Sequence, residues 1–202
     1  MTKSVELFKR GEGGPLEDSM LVAMPGLYET EFERSVILIC SHSDDGAMGF
    51  LLNKKSDITF SQFMAKLRGE VAAGIDLPDV NIDHIPVHVG GPVDQGRGFV
   101  LHTAEYACDS TISITDDLSI TSTLEILTAI TRGAGPEKAI LCLGYAGWGA
   151  GQLEDEIATN SWLSCPLFED AVFEPEIDMI YSKTLASMGI EAANLSSLSG
   201  HA

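Results

Sequence analysis

The sequence predicts a single α+β domain with a mixed, mostly antiparallel sheet flanked by helices, and three observations carry that prediction. The 202 residues, 45% of them hydrophobic and 21% charged, suit one domain with a sizeable core. Strand-like runs come first and helical patterns mix in later, without the regular strand–helix–strand alternation of a doubly wound sheet. The β-branched run FERSVILIC (32–40) and the apolar run GAMGFLLN (46–53) are joined only by the turn SDDG, which predicts an antiparallel hairpin.

The elements follow in order. Residues 1–18 are polar, glycine-containing and aperiodic. SMLVAMPG reads as a buried strand ending in a Pro-Gly turn, and the 32–53 hairpin follows it. Thr59 and Gln62 have the spacing of a capping box, and Phe60, Phe63, Met64 and Leu67 form one apolar helical stripe after it. Residues 69–84, rich in Gly, Asp and Pro, read as a long loop. IPVHVGGPV and GFVLH are short strands joined by DQGRG, and STISITDDLSI alternates as strand and turn. Ser122 and Glu125 make a second candidate capping box, opening a helix with Leu124, Leu127 and Ile130 on one face; Gly133, Gly135 and Pro136 stop it. KAILCLGYAGW is the most apolar strand, and QLEDEIATNSWL reads as the helix after it, with Leu153 and Ile157 stacked. AVFE reads as a last strand. Pro175 suits the first turn of a helix carrying Ile177, Tyr181, Thr184 and Met188 on one face, closed by Gly189.

Charge excludes more than it assigns. Twelve Lys and Arg stand against thirty Asp and Glu, a formal net charge of −18, and beyond residue 138 the only Lys or Arg is Lys183. Such a surface repels phosphate backbones and anionic headgroups, so direct nucleic-acid binding is not expected. The small basic cluster Lys54, Lys55, Lys66 and Arg68 reads as solvated surface. The cysteines Cys40, Cys108, Cys142 and Cys165 form no C-x-x-C pair, and Cys40 and Cys142 sit in apolar runs as small buried hydrophobes. The first residues lack the apolar core of a signal peptide, and no apolar run is long enough to span a bilayer. A cytoplasmic protein without membrane attachment is the expectation.

GYAGWGAGQLEDEI (144–157) is the most distinctive segment: four glycines and two aromatics leading into an acidic helix. A glycine-rich strand-to-helix turn is a common anion site, but Glu154, Asp155 and Glu156 would line its first turn with negative charge. Gln152 stands where a Walker loop carries Lys-Ser or Lys-Thr, and the glycine spacing falls short of the dinucleotide fingerprint. No G-x-S-x-G elbow occurs. The histidines His42, His84, His88, His102 and His201 contain no H-E-x-x-H; His84 and His88 are four apart but flank Pro86 in a β-like run, where ordinary histidines are the expectation. No catalytic residue, cofactor site or metal site is assigned.

MPGLYETEFERSVILIC, GAMGFLLNK, HVGGPVDQGRGFVLH and GYAGWGAGQLEDEIATNSWL occur in the order seen in the YqgE/AlgH family of bacterial proteins, which the sequence resembles from about residue 14 to its end. Glu29 stands where that family often has Asp. The resemblance implies one domain over 14–202, preceded by a flexible arm at 1–13, and a coiled mixed sheet flanked by helices. It carries no established catalytic residues, and some members bear the label of transcriptional regulator.

A ligand pocket is the functional expectation. Gly90-Gly91-Pro92 and the 144–151 segment both follow strands and lack bulk. If they meet, they would leave a concavity near Arg34, Asn53, His102, Tyr145 and Trp148. Arg34, expected inside an apolar strand, needs a partner, either a carboxylate such as Glu154 or an anionic ligand. The competing reading makes the glycines a packing device and the two aromatics core residues. Three functions are weighed: a regulatory or binding protein acting through a protein partner or small ligand; a small-metabolite enzyme using His102 or Glu154; and direct DNA binding, which conflicts with the charge.

Overall fold

In the computed structural model, residues 14–70, 82–191 and 195 are described. The expected arm at 1–13 and most of the expected 69–84 loop lie outside them. Among the described residues nine strands form one sheet: β1 (Ser19–Ala23), β2 (Val36–Ser43), β3 (Gly46–Leu51), β4 (Val87–Val89), β5 (Val93–Thr103), β6 (Ile112–Ser113), β7 (Leu118–Thr121), β8 (Ala139–Gly149) and β9 (Trp162–Pro166). Five α-helices accompany them: α1 (Phe60–Glu70), α2 (Leu124–Thr131), α3 (Gln152–Ala158), α4 (Glu169–Val172) and α5 (Ile180–Ser187). The strand order is β6-β7-β5-β8-β3-β2-β1-β9, with β4 also on β8. Every pairing is antiparallel except β4–β8. This is the predicted α+β domain with a coiled, mostly antiparallel sheet.

β8 organises the fold. Its first half pairs with β5 on one side and β4 on the other, and its second half continues onto β3. Side chains alternate faces along a strand, and β8 shows what interrupts that rule. Ala139, Leu141 and Leu143 pack with Phe60, Phe63, Met64, Ile126 and Leu127 of α1 and α2, while Ile140 and Cys142 face the opposite core. At Gly144 the backbone enters the left-handed region (φ 71°) and the parity reverses. Tyr145 then shares the core of Ile140, and Ala146 and Trp148 join Leu153 and Trp162. A one-residue bulge is the device that moves a strand's side chains from one face to the other. β2 does the same near Cys40, where its register with β3 shifts between Ile39 and Ser41.

The core on one face carries Phe50, Phe99, Leu38 and Met48 under Ile180, Tyr181 and Leu185 of α5. Burying side chains of this size contributes about 2–3 kcal/mol each. The 32–53 hairpin is the β2–β3 pair, and Thr59 and Gln62 form the expected reciprocal capping bonds, Thr59 N–H donating to Gln62 Oε1 (2.9 Å) and Gln62 N–H to Thr59 Oγ1 (3.3 Å).

Other expectations are corrected. Thr123, not Ser122, caps α2, and no side chain bonds at that cap; Ser122 Oγ instead accepts from Arg97. DQGRG is not a turn but part of β5, which absorbs it through a register shift between Val93 and Gly98. The helix after β8 stops at Ala158. Trp162 and Leu163 belong to β9, drawn into the sheet by pairing with β1. The AVFE segment falls in and after α4 instead of forming a strand.

Candidate functional site

The two glycine motifs do meet. Gly90 N–H donates to Leu143 O (2.8 Å), and a Cβ on Gly91 would lie 2.1 Å from the Tyr145 carbonyl carbon. Backbone lies against backbone there, so no ligand-sized space opens at the junction.

The five residues expected around that junction therefore do not gather into one pocket. His102 is fully buried in β5. Its Nδ1–H donates to Thr103 O (2.9 Å), so Nε2 accepts from Thr121 Oγ1 (2.9 Å). Burial holds its pKa below the ordinary value, leaving a neutral, fully bonded imidazole. Tyr145 stands edge-on to Phe99 (6.0 Å between centroids), while Trp148 packs on the other face against Trp162 (6.0 Å). The two lie three residues apart in one strand, and that odd spacing puts them on opposite faces.

The acidic first turn of α3 is also explained. Glu156 Oε2 accepts from both Trp148 Nε1 (2.9 Å) and Trp162 Nε1 (2.8 Å), and its Oε1 accepts from Gln152 Nε2 (2.8 Å). Glu154 pairs with the buried His42 through Nε2 (2.7 Å), a bond that helps hold the Glu154 carboxyl below its usual range. These carboxylates dock the helix on the sheet. Glu154 is not the partner of Arg34.

Arg34 and Asn53 do come together, in a concavity that His102, Tyr145 and Trp148 do not line. Arg34 precedes β2 instead of lying within it. Its backbone sits in the left-handed region (φ 52°), a conformation costly for a non-glycine residue. Asn53 holds it there, Nδ2 donating to Arg34 O (2.7 Å) while Oδ1 accepts from Val36 N–H (2.8 Å). The guanidinium lies over the Tyr181 ring, 4.9 Å from its centroid. That ring is fixed in turn, because Tyr181 is buried and its hydroxyl donates to Ala23 O (2.9 Å). Among the described residues no carboxylate pairs with Arg34. A concavity of about 360 Å³ opens here, lined by Thr30, Glu31, Glu33, Arg34, Asn53, Lys54, Asp178 and Tyr181. Lys54 is tethered, its Nζ donating to Glu33 O (2.8 Å). The sequence reading missed Tyr181 and Asp178. The stripe that put Tyr181 on the core face was right, and the same ring also lines the site beneath the Arg34 guanidinium.

Two larger cavities, of about 570 and 560 Å³, flank the Phe173–Pro175 segment. In the first, Lys183 is already paired with Glu174. The second contains His84 and His88, but among the described residues no group of three His, Cys, Asp or Glu could hold a metal ion. His88 is buried and its Nδ1 is enclosed without a partner. Size favours these clefts; a positioned, unpaired charged group favours the Arg34 concavity, and chemistry outweighs volume.

No described helix is long and apolar enough to cross a membrane. The fold and its sites define the class first: an α+β domain on a coiled sheet whose glycine motifs pack backbone on backbone. The chain matches the family described as DUF179: AlgH-like over residues 20–193, and it belongs to that family. It is 49% identical to a UPF0301 protein of Rhizobium rhizogenes over 199 residues, covering 97% of this chain and 98% of that one. A UPF0301 protein of Agrobacterium fabrum is 48% identical over 197 residues, with the same coverage. Among solved structures, the AlgH protein from Pseudomonas aeruginosa superposes with a TM-score of 0.74 at 34% identity, covering 95% of this chain and all of that one. A Corynebacterium diphtheriae protein, at TM-score 0.64 and 23% identity over 90% of this chain and 92% of that one, shares the fold.

Proposed function

We propose that this is a regulatory or binding protein that acts through what it holds, a small ligand or a protein partner, and not through contact with DNA. The observation that carries the reading is Arg34: an arginine without a carboxylate partner, its backbone locked by Asn53 and its guanidinium seated on a fixed tyrosine ring, presented to a 360 Å³ concavity. A preorganised planar fork of donors is suited to a carboxylate or phosphate group and loses little freedom when it binds one. The alternative of an enzyme using His102 or Glu154 gains no support, since both side chains are engaged in packing the sheet. The formal charge of −18 supports regulation through a ligand or partner over direct DNA contact.

The test is a thermal-shift screen of carboxylates and phosphate monoesters against the protein and its Arg34→Gln variant. A ligand of the native state raises the melting temperature by mass action. At least one compound is expected to do so for the parent protein alone; an equal shift in both proteins would sink the assignment of Arg34.

A further inference from the structure

The charges around Arg34 restrict what binds there. Two cations, Arg34 and Lys54, and three carboxylates, Glu31, Glu33 and Asp178, line the same concavity. Glu33 and Lys54 are partly engaged locally: Glu33 Oε2 accepts from Glu29 N–H (3.3 Å), and Lys54 donates to the Glu33 carbonyl. Among the described residues Arg34, Glu31 and Asp178 have no hydrogen bond or ion pair to any side chain. The site therefore offers one free anchor for an anionic group and two free carboxylates for cationic ones. A dianion such as a phosphate monoester or dicarboxylate would meet three carboxylates at close range. A neutral amino acid would satisfy Arg34 and leave the surplus negative charge uncompensated. A ligand with one carboxylate and two cationic groups balances the lining, and the net charge of the whole protein draws such a ligand in.

We infer that the ligand of this concavity is a basic amino acid, its carboxylate on the Arg34 guanidinium and its amino and side-chain cations against Glu31 and Asp178. This rests on the reading of the Arg34 concavity as the ligand site. The walls agree with it: Thr30, Asn53 and the charged groups leave little apolar surface beyond the tyrosine ring, so an unbranched polar tail fits better than a bulky apolar side chain. The contact of Arg34 with the Tyr181 ring keeps the guanidinium at the concavity, where it can take a carboxylate.

Calorimetric titration of the whole protein with lysine, norleucine, lysinamide and glutarate tests this. Lysine is expected to bind, norleucine and lysinamide about tenfold or more weakly, and glutarate weakest. Asp178→Asn should weaken lysine while leaving norleucine unchanged, and Arg34→Gln should abolish lysine binding. Circular dichroism checks that each variant is folded, and Arg34→Met, which also removes the cation, serves if Arg34→Gln is not. Equal binding of lysine and norleucine, or tighter binding of glutarate, overturns the basic-ligand inference while Arg34 remains an anion anchor. Failure of all four probes, or lysine binding that survives both Arg34 variants, overturns the inference and, in the second case, the Arg34 site itself.

Discussion

His88 gives the sharpest quantitative expectation. Its backbone pairs in β4 with Cys142, its imidazole is 4% exposed, and it bonds to the Leu52 backbone while Nδ1 has no partner. Burial pushes its pKa down from 6.5 to about 4. A lowered histidine pKa means that the unfolded chain binds a proton that the native protein refuses. Native stability is complete above the unfolded value of 6.5 and falls as the pH drops from there towards 4. Below that the native protein also takes the proton, and this contribution to the loss stops growing. The loss amounts to about 2 kcal/mol by pH 5 and about 3 kcal/mol near pH 4.

Urea unfolding from pH 7.5 to 4.5 measures it, compared with His88→Gln. Other groups titrate too. The Asp83 and Glu174 carboxyls beside the cavity, held below their usual range, lose stability only at the acid end. His102, lowered by burial, adds an acid loss of its own in both proteins. The difference between the two proteins therefore isolates His88. The variant should be less stable at pH 7.5, since it disturbs a buried bond, but it should lose about 2 kcal/mol less than the parent on going to pH 5. If both lose the same amount, His88 is not held neutral, and burial is not setting its pKa.

Three further expectations follow from the packing. Glu156→Ala strands two indole N–H groups and should cost about 2 kcal/mol or more in urea unfolding, with a change in tryptophan emission, whereas Glu154→Ala, which leaves one buried His42 nitrogen without its partner, should cost less; the reverse order would refute the docking role of Glu156. Gly91→Ala drives a Cβ into the Tyr145 backbone and should cost more than about 3 kcal/mol or prevent folding, while Gly96→Ala, with nothing within 4 Å, should be nearly neutral; similar melting temperatures for the two would contradict the close approach. Of the four thiols, Cys108 should react first with iodoacetamide. Hydrogen bonds from Ser110 and Thr111 lower its pKa, whereas Cys40, Cys142 and Cys165 are buried and raised, Cys142 to about 12; a fast phase surviving in Cys108→Ser would reject that order.

Where the sequence was legible, local rules agreed with the fold. The 32–53 hairpin needed only two apolar runs and a short turn, and Thr59–Gln62 capped a helix whose apolar stripe already faced the sheet. The misreadings came where long-range pairing overrides local pattern. Trp162 and Leu163 continue a helical pattern, but β1 needs an edge partner and takes them as β9. DQGRG has the composition of a turn, yet it lies within β5, bulging between the Val93–Tyr145 and Gly98–Leu143 pairs that anchor it to β8. Such contacts join residues far apart in the chain, and no window of neighbouring residues contains them.

The site divides along the same line. The sequence marked Arg34 as needing a partner and grouped it with Asn53, and the β2–β3 pairing brings the two together even though Arg34 stands before β2 instead of within it. It also grouped Tyr145 with Trp148, although KAILCLGYAGW reads as a strand, and in a strand a spacing of three places the two side chains on opposite faces. Gly144 is what hides this. As a glycine in a run of glycines it looks like the start of a loop, but in the fold it is the single left-handed residue that carries a continuous strand from one core to another. A side chain there would clash with the Gly91 and Val93 carbonyls, so the position serves two purposes at once: it reverses the parity of β8, and it lets Gly90-Gly91 close against the bulge. The glycine motifs are coupled structurally, and Gly90 O also accepts from Leu51 N–H (2.9 Å), which ties them to the end of β3 that leads to Asn53.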